Sequence, residues 1–326
     1  MELLVTGAAG YVGSVCAEAL VKSGHTVIAL DNLSEGHRRA VPQEAVFCEC
    51  DLKDREGLER IFSSRRIDAV MHFAAASLVE ESVHKPSRSY VANVANGIHL
   101  LDAMASHGVK NFVFSSTAAV YGEPEEVPIQ ETHATRPINP YGRSKLLFER
   151  VLEEYRELLG LRYVSLRYFN AAGASDRRGE DHRCETHVIP ILLDVILGKR
   201  EQFQVFGTDY PTPDGTCLRD YVHVQDIADA HILTLNQLDR LSGQVFNVGN
   251  SRGHSVQEVL EAVQRVTGRK VRTVTASRRA GDPAVLVASS EKIRRELGWK
   301  PRFSDLDSIV RTAWAWKQQF PAGYPN

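Results

Sequence analysis

Tyr141-Gly-Arg-Ser-Lys145 sets a phenol and an ammonium four residues apart in a stretch with helical character. Side chains at that spacing project from the same side of a helix. A lysine charge held there stabilises a tyrosinate and draws the phenol's pKa down from about 10 toward neutrality. A phenol tuned in this way can take the proton of a sugar or alcohol hydroxyl at physiological pH. By itself the pair is most often just the solvated flank of a helix, so its company decides its meaning. Ser115-Ser-Thr117 closes an apolar run and ends 24 residues before Tyr141. A hydroxyl there can share a hydrogen bond with the tyrosine and with a reacting substrate oxygen, although such a triplet alone reads as a turn or cap.

A nucleotide-binding loop at the other end of the same apparent domain gives the pair its context. Glu2-Leu-Leu-Val-Thr6 is apolar and β-prone, and runs into Gly7-Ala-Ala-Gly10-Tyr-Val-Gly13. An amphipathic helix follows to about Lys22, with Val12, Val15, Cys16, Ala19 and Leu20 on its inner face. A strand that turns on glycines into a helix N-terminus offers backbone N–H groups to a diphosphate. The spacing here is G-x-x-G-x-x-G rather than the tighter G-x-G-x-x-G, and glycines alone can mark a plain turn. The next strand, Thr26-Val-Ile-Ala-Leu30, ends at Asp31, 18 residues after Gly13. A carboxylate there accepts both ribose hydroxyls and repels a 2′-phosphate, which favours NAD over NADP. Arg38 and Arg39, a few residues on, would suit such a phosphate and pull the other way. Hydroxyl, tyrosine and lysine beside a nicotinamide fit oxidation of an alcohol by hydride transfer.

Up to about residue 170 short apolar strands alternate with helical segments. Strands are expected at Val46–Cys48, Asp68–Phe73, Asn111–Ser115 and Tyr163–Arg167, and helices at Arg55–Ser63, Tyr90–Ala105 and Tyr141–Leu159. That rhythm predicts an α/β fold, a doubly wound parallel sheet of Rossmann type, with a smaller α/β C-terminal lobe. The expected domains are 1–170 for the dinucleotide and 171–326 for the substrate, with room for segments of the second half to return to the first. Asp51, Phe73-Ala-Ala-Ala76 and Ser115-Ser-Thr117 fall at carboxyl ends of strands, where ligands of such sheets bind. In the second half Val188–Leu197, Glu258–Thr267 and Ser304–Gln318 read as helices.

The 326 residues suffice for two domains, and 25% charged and 43% hydrophobic residues are those of an ordinary globule. A net charge of −2 and the lack of a basic stripe argue against nucleic acid. No apolar run approaches the ~18 residues of a membrane helix, and no signal peptide is read at the N-terminus. Cys16, Cys48, Cys50, Cys184 and Cys217 are scattered, as expected of reduced thiols in a cytoplasmic protein. The 12 histidines show no ligand cluster in the sequence, so no metal is expected.

Taken together, Gly7-x-x-Gly-x-x-Gly13, Asp31-Asn32, Asp51-Leu52, His72-Phe-Ala-Ala75, Ser115-Ser-Thr117 and Tyr141-x-x-x-Lys145 resemble the extended short-chain dehydrogenase/reductase superfamily. Later motifs narrow the resemblance to the UDP-glucose 4-epimerase family across nearly the whole chain. They are Leu166-Arg-Tyr-Phe-Asn170, Ala172-Gly173, Gly179-Glu-Asp181, Phe206-Gly-Thr-Asp-Tyr-Pro211, Thr212-Pro-Asp-Gly-Thr216, Arg219-Asp-Tyr-Val-His223, Arg278-Arg-Ala-Gly-Asp282 and Gly323-Tyr324.

This resemblance implies interconversion of UDP-galactose and UDP-glucose on a retained NAD, with Tyr141, Lys145 and Thr117 catalytic. Tyr141 takes the O4 proton, Thr117 hydrogen-bonds O4, and Lys145 holds the nicotinamide ribose while lowering the Tyr141 pKa. It implies cofactor contacts from Gly7, Gly10, Tyr11, Val12, Gly13, Asp31, Asn32, Asp51 and Leu52. Phe73, Ala74, Ala75, Asn93, Ser115 and Tyr168 complete that set. Substrate contacts carried over by resemblance are Thr117, Asn170, His187, Val188 and Gln204, with Phe206 by the uracil. Arg219 and Arg279 would take the diphosphate, where guanidinium forks suit phosphate oxygens, and Asp282 would lie near the ribose.

Two departures from the family pattern stand in the first half. Ser77 replaces a cofactor-side lysine of some members, and the segment Ser89–Gly97 around Asn93 runs one residue longer. Leu286 matches the position that gates the sugar pocket, and its intermediate size implies tolerance of N-acetylated sugars. A pentose substrate such as UDP-arabinose or UDP-xylose is the nearest alternative, and a non-catalytic NAD-binding regulator a remoter one. Dehydratases of the superfamily place acids where this chain has Ala118-Ala119, which cannot move protons. A homodimer is implied through the helices beginning near Tyr90 and Tyr141.

Overall fold

Leu3, Leu4 and Val5 are all wholly buried, so Glu2–Thr6 (β1) has no solvent face. That is the signature of a central strand in a parallel sheet covered on both sides. The computed structural model describes residues 1–279 and 282–325; Ala280 and Gly281, within the Arg278–Asp282 motif, and Asn326 lie outside the described residues.

Around β1 lie Thr26–Asp31 (β2), Val46–Glu49 (β3), Ala69–His72 (β4), Asn111–Thr117 (β5) and Arg162–Tyr168 (β6). With Gln244–Val248 at one edge they form a seven-stranded sheet, ordered Gln244–Val248, β6, β5, β4, β1, β2, β3. β1 pairs in parallel with both β2 and β4, β2 with β3, and β4 with β5. The chain therefore builds outward one way from β1 to β3 and then the other way from β4. Between β1 and β4 the winding reverses, and ligands of such sheets bind beyond the carboxyl ends at that point.

The described chain forms two units. The first comprises Met1–Gly122, Ala134–Arg167 and Ala228–Phe246; the second holds Glu123–His133, Tyr168–Ile227 and the residues from Asn247 onward. The division is thus interleaved about the boundary expected near residue 170: Ala228–Phe246 returns to the first unit and Glu123–His133 belongs to the second. The core of the first unit gathers Ile28, Leu30, Val70, Phe112, Phe114 and Phe148. No helix among the described residues is long and apolar enough to cross a membrane.

Local chemistry explains the helices. Asp54 caps Arg55–Ser64 by accepting from the Gly57 N–H at 2.9 Å. Asn139 caps Pro140–Leu159 in the same way through the Gly142 N–H at 2.8 Å, and Pro140 occupies the first turn, where its missing N–H costs nothing. The helix expected over Tyr90–Ala105 is composite: Pro86–Tyr90 is α-helical, Val91–Ala95 is a π-helix, and Asn96–Ser106 returns to α. A π-turn absorbs a surplus residue without breaking the helix.

In the second unit the helices Val188–Ile196, Val256–Thr267 and Leu306–Gln319 bury Ile189, Leu193, Val259, Val263, Ile309 and Val310. Strand Leu218–His223 pairs in parallel with Asn170–Ala172 and Val285–Leu286, and antiparallel with Gly253–Ser255. Asp220 on that strand is fully buried and accepts from the N–H groups of Asn250, Ser251 and Ala288 at 2.7–3.1 Å. Burial raises its carboxyl to about 7 against the pull of those N–H groups. The strand escaped the sequence reading because Arg219 and Asp220 interrupt the apolar alternation that marks a strand.

Candidate functional site

In the first unit β5 delivers Ser115, Ser116 and Thr117, and the helix Pro140–Leu159 delivers Tyr141 and Lys145 in its opening turns. What lets them meet is a glycine. A Cβ on Gly142 would lie 2.5 Å from the Ala119 carbonyl oxygen, so only glycine allows the helix start so close to the turn after Thr117. Tyr141 is half-buried, and its phenol is hydrogen-bonded to Thr117. Burial raises the phenol's pKa, and the Thr117 bond works against that rise.

Lys145 is 3% exposed. Its ammonium donates to the Ser115 carbonyl at 2.9 Å and lies 4.8 Å from the centre of the Phe114 ring. Burial lowers its pKa to about 7, with the Glu149 charge opposing the fall. From the sequence Lys145 is expected to lower the Tyr141 pKa, and its amine stands one turn along the same helix. The Thr117 hydrogen bond works toward the phenolate.

Behind the pair lies a second layer the motifs did not reveal. Glu149, one helical turn beyond Lys145, accepts from Ser116 Oγ at 2.6 Å and from Arg167 Nε at 3.0 Å and Nη2 at 2.5 Å. Arg167 Nη1 also donates to the Tyr121 hydroxyl at 3.0 Å. This buried, hydrogen-bonded ion pair fixes β5, β6 and the helix to one another. Asn93 does similar work on the other side: its Oδ1 accepts from Ala76 N–H at 2.7 Å, and its Nδ2 donates to Ser144 Oγ at 2.9 Å. The π-turn thus ties the loop after β4 to the Tyr141 helix.

The glycine loop and the end of β4 lie at the reversal of the winding. Gly7 has φ of +70°, and a Cβ on it would meet Ala74 N at 2.5 Å; one on Gly13 would overlap Gly7 O at 2.1 Å. Gly10 caps the helix Tyr11–Lys22 without a side-chain oxygen, and no acidic residue sits in its first turn, leaving the positive dipole end to an anion. Asp31 accepts from Ala9 N–H at 2.9 Å and Leu33 N–H at 2.8 Å, which sets its carboxylate beside the glycine loop. Asn32 donates to Asp51 at 3.0 Å, and the Leu52 carbonyl lies 3.2 Å from His99 Nδ1. Tyr11 and Leu52 are buried, Val12, Ala74 and Ala75 are half-buried, and the Phe73 ring lies against His231. Arg38, one of the two arginines suited to a 2′-phosphate, lies with its guanidinium 4.2 Å from the centre of the Phe47 ring. A tight glycine cradle, an uncapped helix end and an anchored carboxylate fit a dinucleotide.

The second unit carries the other residues singled out from the sequence. Arg219 is buried; its Nη1 donates to the Leu218 carbonyl at 2.8 Å, and its Nη2 pairs with Asp282. The Arg279 guanidinium lies 4.1 Å from the centre of the Phe206 ring. Leu286 is half-buried and stands beside Arg219 in the strand register. Gln204 is exposed, two residues before Phe206; Asn170 opens a strand against Tyr221, and Tyr168 closes β6. Val188 starts a helix whose N-cap is His187, and the His187 ring turns away from that cap toward Glu180 and Glu185. His182 faces the same two carboxylates. No histidine cluster was read from the sequence; the fold assembles one in the loop 180–187, which matches no familiar ligand spacing.

Residues 3–249 match the model of the NAD dependent epimerase/dehydratase family. The chain belongs to that family. A family relative named UDP-glucose 4-epimerase from Streptococcus mutans is 50% identical over 331 residues, covering 100% of this chain and 99% of its own. A crystal structure of a UDP-glucose 4-epimerase superposes with a TM-score of 0.97 at 46% identity, covering 100% of both chains. That of Bifidobacterium longum UDP-glucose 4-epimerase in complex with NAD+ and UDP gives 0.94 at 36% identity, covering 99% of this chain and 100% of its own. The whole fold is thus shared with these two structures.

Proposed function

We propose that this chain is a UDP-glucose 4-epimerase that interconverts UDP-galactose and UDP-glucose on a tightly held NAD. The observation that carries the reading is the Tyr141 phenol hydrogen-bonded to Thr117 with the buried Lys145 amine on the same helix. It is supported by similarity to 4-epimerases along the whole chain. NAD, when bound, supplies the reversible redox partner for the sugar C4. Gly7, Gly10, Tyr11, Val12 and Gly13 are assigned to its diphosphate and Asp31, Asn32, Asp51 and Leu52 to its adenosine half. Phe73, Ala74, Ala75, Asn93, Ser115 and Tyr168 are assigned to its remaining half, with Asn93 acting through the backbone of the loop it holds.

Tyr141 acts as the base. Its phenolate takes the proton from O4 of the bound sugar, and the same phenol returns it to O4 after the sugar has turned its other face. Proton count is unchanged over the cycle, as an isomerisation requires. Thr117 orients O4 and favours the phenolate, and Lys145 supplies positive charge as substrate charge develops. Because the sugar must turn, the firm grip belongs to the nucleotide. Arg219 and Arg279 are assigned to the diphosphate, Phe206 and Gln204 to the uridine, Asp282 to its ribose, Asn170 and the 187–188 backbone to the diphosphate–sugar region, and Leu286 to the sugar.

Incubation of the purified chain with UDP-galactose and no added nicotinamide, followed by NMR, tests the reading. UDP-glucose is expected to appear, and Tyr141→Phe to lower kcat by about 10²–10⁴-fold at similar KM, the usual share of a general base. No conversion by the wild type even after NAD is supplied would reject the hexose reading; UDP-arabinose would then be tried.

A further inference from the structure

Glu180, His182, Glu185 and His187 come from one loop, in the pattern E-x-H-x-x-E-x-H, and each brings one donor atom into a common cluster. His187 Nδ1 lies 2.8 Å from Glu180 Oε1 and 3.0 Å from Glu185 Oε1. His182 Nδ1 lies 3.3 Å from Glu180 Oε1 and 3.4 Å from Glu185 Oε2. All four donor atoms fall within 4.8 Å of one another, and both glutamate side chains are only 7% exposed.

Hydrogen bonding accounts for the two shorter contacts, at His187, better than for the two at His182. A ring N–H has one proton, yet each Nδ1 faces two carboxylates, and at 3.3 and 3.4 Å His182 is beyond good hydrogen-bond range of both. Two buried carboxylates set side by side need a positive charge between them. The two longer separations, at His182, match the spacing of ligands around a metal. Tetrahedral zinc with bonds of about 2.0–2.2 Å to nitrogen and oxygen sets its ligands roughly 3.3–3.5 Å apart, and the four N···O separations run from 2.8 to 3.4 Å. Outer hydrogen bonds hold one ligand ready: Glu185 Oε1 also accepts from the Thr186 and His187 N–H groups, each at 2.8 Å.

We propose that Glu180, His182, Glu185 and His187 bind one divalent transition-metal ion of zinc type, tetrahedrally, as a structural site. Four protein ligands leave no open position for water or substrate, so the ion ties the loop to the start of the helix Val188–Ile196 and takes no part in the chemistry. A proton on each Nδ1 competes for the same place, so loading displaces it.

The test uses the full chain purified without chelator or affinity tag. Elemental analysis should find about one zinc per chain. After removal by chelator, Zn²⁺ alone should rebind against a chromophoric competitor and raise Tm, and Co²⁺ should give the intense visible bands of a tetrahedral site. His182→Gln and Glu185→Gln should each weaken Zn²⁺ binding at least tenfold, whereas Cys184→Ser, at an exposed thiol in the same loop, should leave it unchanged. A folded wild type that carries no stoichiometric metal, binds no Zn²⁺ at micromolar concentration and shows no Tm shift would overturn the proposal and leave an ion-pair cluster. Loss of binding in Cys184→Ser alone would overturn the ligand assignment.

Discussion

Lys145 bears a charge whose cost of burial can be measured. Folding lowers its pKa from 10.5 to about 7, because the amine has left water. Between those values the unfolded chain holds a proton that the folded chain has released. Stability therefore rises with pH across that window, and the gain is absent at and below about 7. Lys145→Met has no such proton, so its deficit relative to wild type should be larger at pH 9 than at pH 7 in urea midpoints. Equal deficits at both pH values would mean that the amine is not buried as described. The motif Tyr-x-x-x-Lys was legible in the chain, but this titration was not, since it depends on Phe114, Ser115 and Glu149 closing round the amine from elsewhere in the fold. Leu286 offers a second test at this scale. If its side chain gates the sugar, Leu286→Tyr should cut turnover of N-acetylated UDP-sugars at least tenfold while UDP-galactose turnover changes less than threefold. Equal effects on both sugars would remove the gate.

Elements, more than single residues, decide whether Tyr141 and Thr117 meet. The helix Pro140–Leu159 starts against the turn after β5 with no space for a methyl group at Gly142. Gly142→Ala is expected to push the first turn away from Ala119 and to lower kcat about a hundredfold, since misplacement of a reacting group by about 1 Å costs that much. Far-UV circular dichroism should stay unchanged, because alanine favours a helix interior. Activity within threefold of wild type would show that the helix start can shift without cost. The helix itself was legible, expected over Tyr141–Leu159 and found over Pro140–Leu159. The strand–glycine–helix start at β1 was legible too, because its periodicity changes at Gly7. The strand Gln244–Val248 was not, since it joins the edge of the sheet beside β6 from far along the chain. Nor was the ring of ligands in the loop 180–187, which no periodicity marks.

At the scale of the whole molecule the chain passes between its two units several times, as pairing of distant segments dictates and as no local pattern announces. One property at this scale belongs to the first unit alone. Val83, Val91 and Leu147 are 58%, 55% and 44% exposed. They sit on Val79–His84, Val91–Ala95 and Pro140–Leu159, and the first two of these segments pack against the last. A single exposed apolar residue needs no explanation, but several on neighbouring elements make a surface that association would cover. The homodimer that the family resemblance implies would use this face. Light scattering coupled to gel filtration should give twice the 36.3 kDa chain mass at micromolar concentration. Val91→Glu with Leu147→Glu would bring like charges together across a twofold interface, where each patch meets its own copy. That variant should run at the mass of one chain, with its far-UV spectrum intact. Wild type at single-chain mass over the same range would refute the dimer; a double variant that still dimerises would move the interface to another face.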